Sequence, residues 1–281
     1  MAKPVDFGTR LRSAMDASGP LCVGIDPHPA LLEAWGLPNS ADGVRSFSLT
    51  VVEAMTGAAA ILKPQVALFE RFGSAGFAAL EETLAAARAA GLLTLADAKR
   101  GDIGSTMAAY ATAWLDDSSP LASDAVTLSP YLGYESLRPA IDLAASTGRG
   151  VFVLGLTSNP EGPSVQHVGG SNSVAKSIID QVTADNVAAI DLGHVGLVVG
   201  ATIGDAPEKL GIDLTASKAP LLTPGLGAQG ATAQDIAESF ASSYGQVLGT
   251  SSRDILRAGP SVQALRDKAL SVRDELLAAK Q

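Results

Sequence analysis

The residues best placed to do chemistry fall in one short stretch, Leu95-Ala96-Asp97-Ala98-Lys99-Arg100-Gly101-Asp102-Ile103. Successive side chains on a β-strand point to opposite faces, so Asp97 and Lys99 should share a face while Ala98 points away. Gly101 permits a tight turn, and Asp102 should then open the following loop or helix. A lysine between two carboxylates keeps its proton, because nearby negative charge favours the ammonium form. That state suits a proton donor, or a cation that stabilises a carbanion. An ion pair closing a strand end is the plainer alternative. Here, however, the acid lies in an apolar run, where charge is costly without a purpose.

A second feature is Gly225-Leu226-Gly227-Ala228-Gln229-Gly230, which fits the pattern G-x-G-x-x-G. A dinucleotide site would need an early βαβ unit and an acid ~20 residues further on. This turn comes late, and the strand after it ends in Leu248-Gly249-Thr250 with no acid. It reads better as the phosphate site that follows the last two strands of a barrel. Backbone N–H groups of Gly225, Gly227 and Gly230 at a helix start would then face a dianion. His28, His167 and His194 have no metal-ligand spacing and read as structural or exposed. Without a Cys/His cluster, a Ser-His-Asp set or a cofactor lysine motif, neither metal nor cofactor is expected. Cys22, the only cysteine, sits in an apolar run and reads as a buried, inert thiol.

These residues need elements to hold them. Short apolar runs at Leu21–Asp26, Ala60–Gln65, Leu92–Lys99, Ala125–Pro130, Gly150–Ser158, Gly196–Thr202, Pro220–Gly225 and Gln246–Ser251 read as strands. Amphipathic stretches at Ala41–Thr56, Ala75–Ala89, Ser105–Leu115, Glu135–Ser146, Ser173–Ile190, Ala231–Ala241 and Ser261–Ala279 read as helices, with a weaker one at Asp205–Leu214. Strands apolar along most of their length are buried on both faces, as in a parallel sheet. Regular βα alternation over 281 residues points to a closed (β/α)₈ TIM barrel in one domain spanning residues 1–281. A leading helix near Phe7–Ala17 should plug its bottom. Several strands end in polar residues: Asp26, Lys63, Asp97 with Lys99, Ser129, Thr157 with Ser158, and Thr202. The C-terminal strand ends of such a barrel form its active-site face.

Composition narrows the partners. The net charge of −9 argues against nucleic acid or an anionic membrane, though a few local donors could still hold one phosphate. No window reaches the ~18 apolar residues of a membrane span. The start, Met1-Ala2-Lys3-Pro4-Val5-Asp6, has no apolar signal region, so a cytoplasmic location is expected.

Asp97-Ala98-Lys99-Arg100-Gly101-Asp102-Ile103 resembles the Asp-x-Lys-x-x-Asp signature of orotidine 5′-phosphate decarboxylases. Its continuation through Gly104-Ser105-Thr106 resembles the longer bacterial branch found in actinobacteria. Val23-Gly24-Ile25-Asp26-Pro27-His28-Pro29, Lys63-Pro64-Gln65, Ser129-Pro130-Tyr131-Leu132-Gly133 and Leu156-Thr157-Ser158-Asn159-Pro160 are similar to that branch too. The resemblance covers nearly the whole chain in order. It implies a cofactor-free decarboxylation of orotidine 5′-phosphate to uridine 5′-phosphate.

By this resemblance Lys99 is the proton donor and Asp97 the carboxylate beside the substrate's own. Asp97 would act either by straining the ground state or by orienting Lys99. Lys63 is the second lysine of an alternating charge array, and Asp26 binds ribose. Asp102 and Thr106 reach the neighbouring subunit's ribose, which implies a homodimer with shared sites. Ile103 is an apolar wall near the leaving carboxylate, and either Thr157 or Ser158 contacts the pyrimidine. Gln229 grips phosphate. The family places an arginine directly after the last strand's glycine. Here Gly249-Thr250-Ser251-Ser252-Arg253 makes Arg253 the counterpart, at a different spacing. Two other readings remain at this level: a Mg²⁺-dependent sugar-phosphate decarboxylase or aldolase-like relative on the same barrel, and a non-catalytic phosphate-ligand binder.

Overall fold

A computed structural model describes residues 4–227 and 230–280. Eight strands form a closed parallel barrel in sequence order: β1 (Leu21–Ile25), β2 (Ile61–Pro64), β3 (Leu93–Arg100), β4 (Ala125–Leu128), β5 (Gly150–Leu156), β6 (Val195–Val199), β7 (Leu221–Pro224) and β8 (Val247–Ser251). Closure is made by β1 against β8, with Leu21 opposite Gly249 and Cys22 opposite Thr250. The TIM-barrel expectation therefore holds, and six of the eight apolar runs contain their strands; β3 runs one residue past its run, to Arg100, and β6 begins one residue before its run, at Val195. The runs at Ala125–Pro130 and Gly150–Ser158 overshoot, because the chain leaves the sheet at the rim.

Both faces of the strands are covered, which is why they read as continuous apolar runs. One core lies between barrel and helices, where Trp35 packs on Phe47 at 4.1 Å between ring centroids. The other fills the lower lumen. Helix α1 (Phe7–Ser18), N-capped by Asp6, drives Phe7, Leu11 and Met15 against Cys22, Ile61, Leu95 and Phe152. Phe7 meets Phe152 edge to face at 6.0 Å. Gly150 makes this possible, since a Cβ there would lie 2.4 Å from the Phe7 ring. Arg10 of α1 bonds to Asp124 and to the Gly148 carbonyl, tying the plug to the barrel bottom.

Three helices differ from the sequence reading, the weaker one at Asp205–Leu214 shrinking to Ala206–Lys209. The stretch beginning at Glu135 starts as a 3₁₀ turn, Tyr134–Leu137, and becomes α-helical only at Arg138–Thr147, where Pro139 occupies the first turn. The helix read as Ser173–Ile190 ends at Asp185. The Asn186 side chain donates to the carbonyls of Val195 and Ser217 and accepts from the Val195 N–H, pulling the chain into a loop. The apolar pattern beyond it ends at Ile190, which is fully exposed. Among the described residues no helix is long and apolar enough to cross a membrane.

Candidate active site

A cavity of about 640 Å³ opens where the strand ends converge. Asp26, just past β1, and Lys63, Asp97 and Lys99 of β2 and β3 make one side charged. Leu154, Val198 and Leu222 of β5, β6 and β7 make the other side apolar. A second cavity, about 550 Å³, lies beside α1 at the opposite end. Among its charges, Arg12 pairs with Asp191 and Arg149 with Asp117.

Asp97 is the centre of the charged side and is only 7% exposed. Its Oδ1 accepts from Lys99 Nζ at 2.5 Å and from the Thr127 hydroxyl at 3.0 Å. Its Oδ2 accepts from Lys63 Nζ at 2.9 Å and from the Gln65 amide at 3.2 Å. Burial alone would raise this carboxyl's pKa. The charges of Lys63 and Lys99, with their hydrogen bonds, outweigh burial and hold it well below the usual carboxylate range. Lys63 is buried as well. Desolvation works against its ammonium, but Asp97 and Asp26 more than reverse that and raise its pKa above an ordinary lysine's. Burial pushes the nearby Cys22 thiol up to about 12, which keeps it protonated, as expected of an inert core cysteine.

Lys99 reaches Asp97 by a different backbone from the one expected. The register of β3 on β4 shifts between Ala96 and Arg100, and Lys99 takes a left-handed conformation with φ 48°. Simple strand alternation therefore does not hold at Lys99. A non-glycine residue in this region is uncommon, and such strain is concentrated at functional sites. The Lys99 side chain is 45% exposed at the cavity mouth, whereas Arg100 turns away to Glu70 at 3.1 Å. Gly101 also has a different reason to be glycine. Its φ is not in the left-handed region, but a Cβ would lie 2.3 Å from the Ser129 carbonyl oxygen.

Asp26 lines the cavity, and its Oδ1 is buried with no hydrogen-bond partner among the described residues. Thr157 and Ser158 both line the cavity, but they differ in commitment. The Thr157 hydroxyl donates to Asn159 at 2.6 Å and accepts from Gln166 at 2.6 Å, while its N–H donates to the same Gln166 side chain at 2.8 Å. On the far side Gly225, Thr250, Ser252 and Arg253 complete the wall.

The glycine turn departs from expectation. The Gly227 N–H donates to the Ala231 carbonyl at 2.8 Å and the Gly230 N–H to the Gly227 carbonyl at 2.9 Å. Both glycines serve the turn itself, with φ of 76° and 92°, and neither lines the cavity. The next helix, Ala233–Phe240, is capped by its own Thr232 and Asp235. Only Gly225 of the three glycines reaches the cavity. Gln229 lies outside the described residues.

Asp102, Ile103 and Thr106 do not line this chain's cavity. Asp102 accepts its neighbour Ile103's N–H at 2.8 Å, and Ile103 is 62% exposed. Ser129 and Thr202 also stay outside, whereas His28 stands on the cavity wall. Gln65, Thr127, Leu154, Val198 and Leu222 were not singled out from the sequence. Gln65 stands two residues beyond Lys63, so strand periodicity alone could have drawn attention to it. Thr127 reads as an ordinary strand residue.

Residues 19–267 match the family described as orotidine 5′-phosphate decarboxylase / HUMPS. The chain belongs to that family. It is 56% identical over 266 residues to the orotidine 5′-phosphate decarboxylase of Streptomyces coelicolor, covering 94% of each chain. A crystal structure of a Streptomyces avermitilis protein superposes with a TM-score of 0.94 at 53% identity, over 99% of this chain and 97% of that one. The structure of Leishmania donovani OMP decarboxylase superposes with a TM-score of 0.78 at 30% identity, over 98% and 99%. The span matched to the decarboxylase family contains the whole cavity wall, from Asp26 to Arg253.

Proposed function

We propose that this chain decarboxylates orotidine 5′-phosphate to uridine 5′-phosphate and CO₂, the last step of making UMP, with Lys99 as proton donor. The observation that carries the reading is the Lys63–Asp97–Lys99 array, buried at Lys63 and Asp97 and open to the cavity at Lys99, facing an apolar wall. The bond from C6 to the carboxylate breaks, its electron pair stays on C6, and neutral CO₂ leaves. The carbanion at C6 has no adjacent carbonyl to take up its charge, so the protein must stabilise it. The Lys99 ammonium does so and then transfers a proton to C6, after which solvent reprotonates the amine. General acid catalysis contributes only ~10²–10⁴-fold, against an upper range of enzymatic acceleration near ~10¹⁷-fold. The larger share therefore falls to charge preorganised by the fold and to binding energy from remote groups.

The remaining assignments follow the family resemblance, supported by the cavity where their residues line it. Asp26, with its unsatisfied oxygen, accepts from ribose hydroxyls. Ser158 is the better pyrimidine contact, because the Thr157 hydroxyl is already committed to Asn159 and Gln166. Arg253 holds the phosphate, with Gly225 on the same cavity wall, and Gln229 is assigned to the phosphate by the family resemblance alone. Asp102 and Thr106, which like Ile103 do not line this chain's cavity, act in the site of a second copy across an isologous interface. The enzyme works in the cytoplasm as a homodimer.

The test is loss of orotidine 5′-phosphate absorbance, run with and without EDTA. Among the described residues no group of three or more His, Cys, Asp or Glu could hold a metal ion. Turnover should therefore survive exhaustive chelation. Turnover that EDTA abolishes and Mg²⁺ restores would favour the sugar-phosphate branch of chemistry. No turnover at all would leave a phosphate-ligand binder.

A further inference from the structure

Thr127 sits in β4, fully buried, behind the wall of the cavity. Its hydroxyl has one hydrogen, and the geometry fixes where that hydrogen goes. The backbone N–H of Lys99 can only donate, and it points at Thr127 Oγ1 at 2.8 Å. The hydroxyl is thereby an acceptor on that side, and its own hydrogen is donated to Asp97 Oδ1 at 3.0 Å. The same carboxylate oxygen accepts Lys99 Nζ at 2.5 Å. The result is a closed ring: Lys99 main chain to Thr127, Thr127 to Asp97, and Asp97 back to the Lys99 ammonium.

This ring forms where the sheet itself cannot hold the lysine. The β3–β4 register breaks between Ala96 and Arg100, and Lys99 is in the left-handed region there. A backbone N–H released from the sheet ladder needs another acceptor, and at the break the Thr127 side-chain oxygen takes the place of a ladder carbonyl. We infer that Thr127 is a positioning residue for the proton donor: its hydroxyl holds Lys99 in its left-handed conformation and fixes the Asp97 oxygen that orients the Lys99 ammonium. Thr127 does not line the cavity, so it acts through Lys99 and Asp97. The inference rests on the decarboxylase reading above.

Two variants separate the hydroxyl from the bulk of the side chain. Thr127→Val keeps the shape and removes both hydrogen bonds, while Thr127→Ser keeps the hydroxyl and loses a methyl. Steady-state kinetics on orotidine 5′-phosphate and thermal melting should be measured for the wild type and both variants. Thr127→Val should lower kcat by roughly 10- to 100-fold, the scale of losing a hydrogen bond to a charged group. KM should stay within about twofold, since ribose and phosphate contacts are untouched. Thr127→Ser should recover kcat to within about threefold of wild type.

A near-native kcat for Thr127→Val would overturn the inference. So would equal kcat losses in Val and Ser, which would mark a packing effect, or a KM rise matching the kcat loss. If Thr127→Val does not fold, the Ser variant decides alone: near-native kcat supports the hydroxyl's role, and a large loss opposes it. An inactive wild type would instead refute the decarboxylase reading itself.

Discussion

Asp97 accepts from two ammonium groups, one amide and one hydroxyl. Removing Lys99 leaves three of these four donors in place. Lys99→Ala should therefore keep the fold and its melting temperature within a few degrees. It should cost turnover at least the ~10²–10⁴-fold of general acid catalysis, because the lost ammonium acts in the transition state. A variant with near-native kcat would rule Lys99 out as the proton donor. The pKa directions give a second prediction. Asp97 is depressed, so its contribution to stability is present above the unfolded carboxylate value and is lost as pH falls through the folded one. Lys63 is raised, so its contribution is present below the unfolded lysine value and is lost as pH rises through the folded one. The stability difference between wild type and Asp97→Asn should thus be flat from about pH 5 to about pH 9 and shrink outside that window. Urea titrations at several pH values would show this, and a difference that drifts through neutrality would contradict it.

At the level of elements, the barrel separates two tasks. The lower lumen is filled by α1 and supports the strands. The upper ends line the cavity, with charge just past β1 and on β2 and β3, and with Gly225 and Arg253, the proposed phosphate side, beyond β7 and β8. Arg253 begins a short helix directly after β8, on the cavity wall. Its assigned partner is distant from the reacting carbon, so Arg253→Ala should raise KM for orotidine 5′-phosphate by tenfold or more, on the order of a lost charge-assisted hydrogen bond. Gln229→Ala should do the same. On orotidine without its phosphate both variants should behave like wild type. Equal losses on the two substrates would show that these side chains bind something else.

At the scale of the whole molecule, Asp102 and Thr106 do not line the cavity that holds Lys99, yet lie only a few residues from it in sequence. In an isologous dimer each site would combine Lys99 of one chain with Asp102 of the other. Lys99→Ala and Asp102→Ala homodimers should then both be nearly inactive. Unfolding and reassociating them together should restore roughly a quarter of native activity, because half of randomly paired dimers collect both lesions in one site and leave the other intact. Verified mixed dimers without recovered activity would place Asp102 in its own chain's site, and the decarboxylase reading would stand.

The sequence by itself determined the barrel, because burial on both faces leaves each parallel strand as an apolar run that can be read residue by residue. It also determined which short segment carries the charge, since Asp97 and Lys99 stand in one such run. Tertiary structure alone decided how they meet. The β3–β4 register break and the left-handed Lys99 come from pairing between strands, and local alternation carries no record of it. Thr127 is legible only as a strand residue until Lys99 and Asp97 are brought beside it. The glycine turn shows the same limit. Its pattern advertises free N–H groups, but whether Gly227 and Gly230 offer theirs to a ligand or spend them on the turn depends on where Ala231 folds back. Asn186 likewise ends its helix by bonding to Val195 and Ser217, partners that only the closed barrel places within reach.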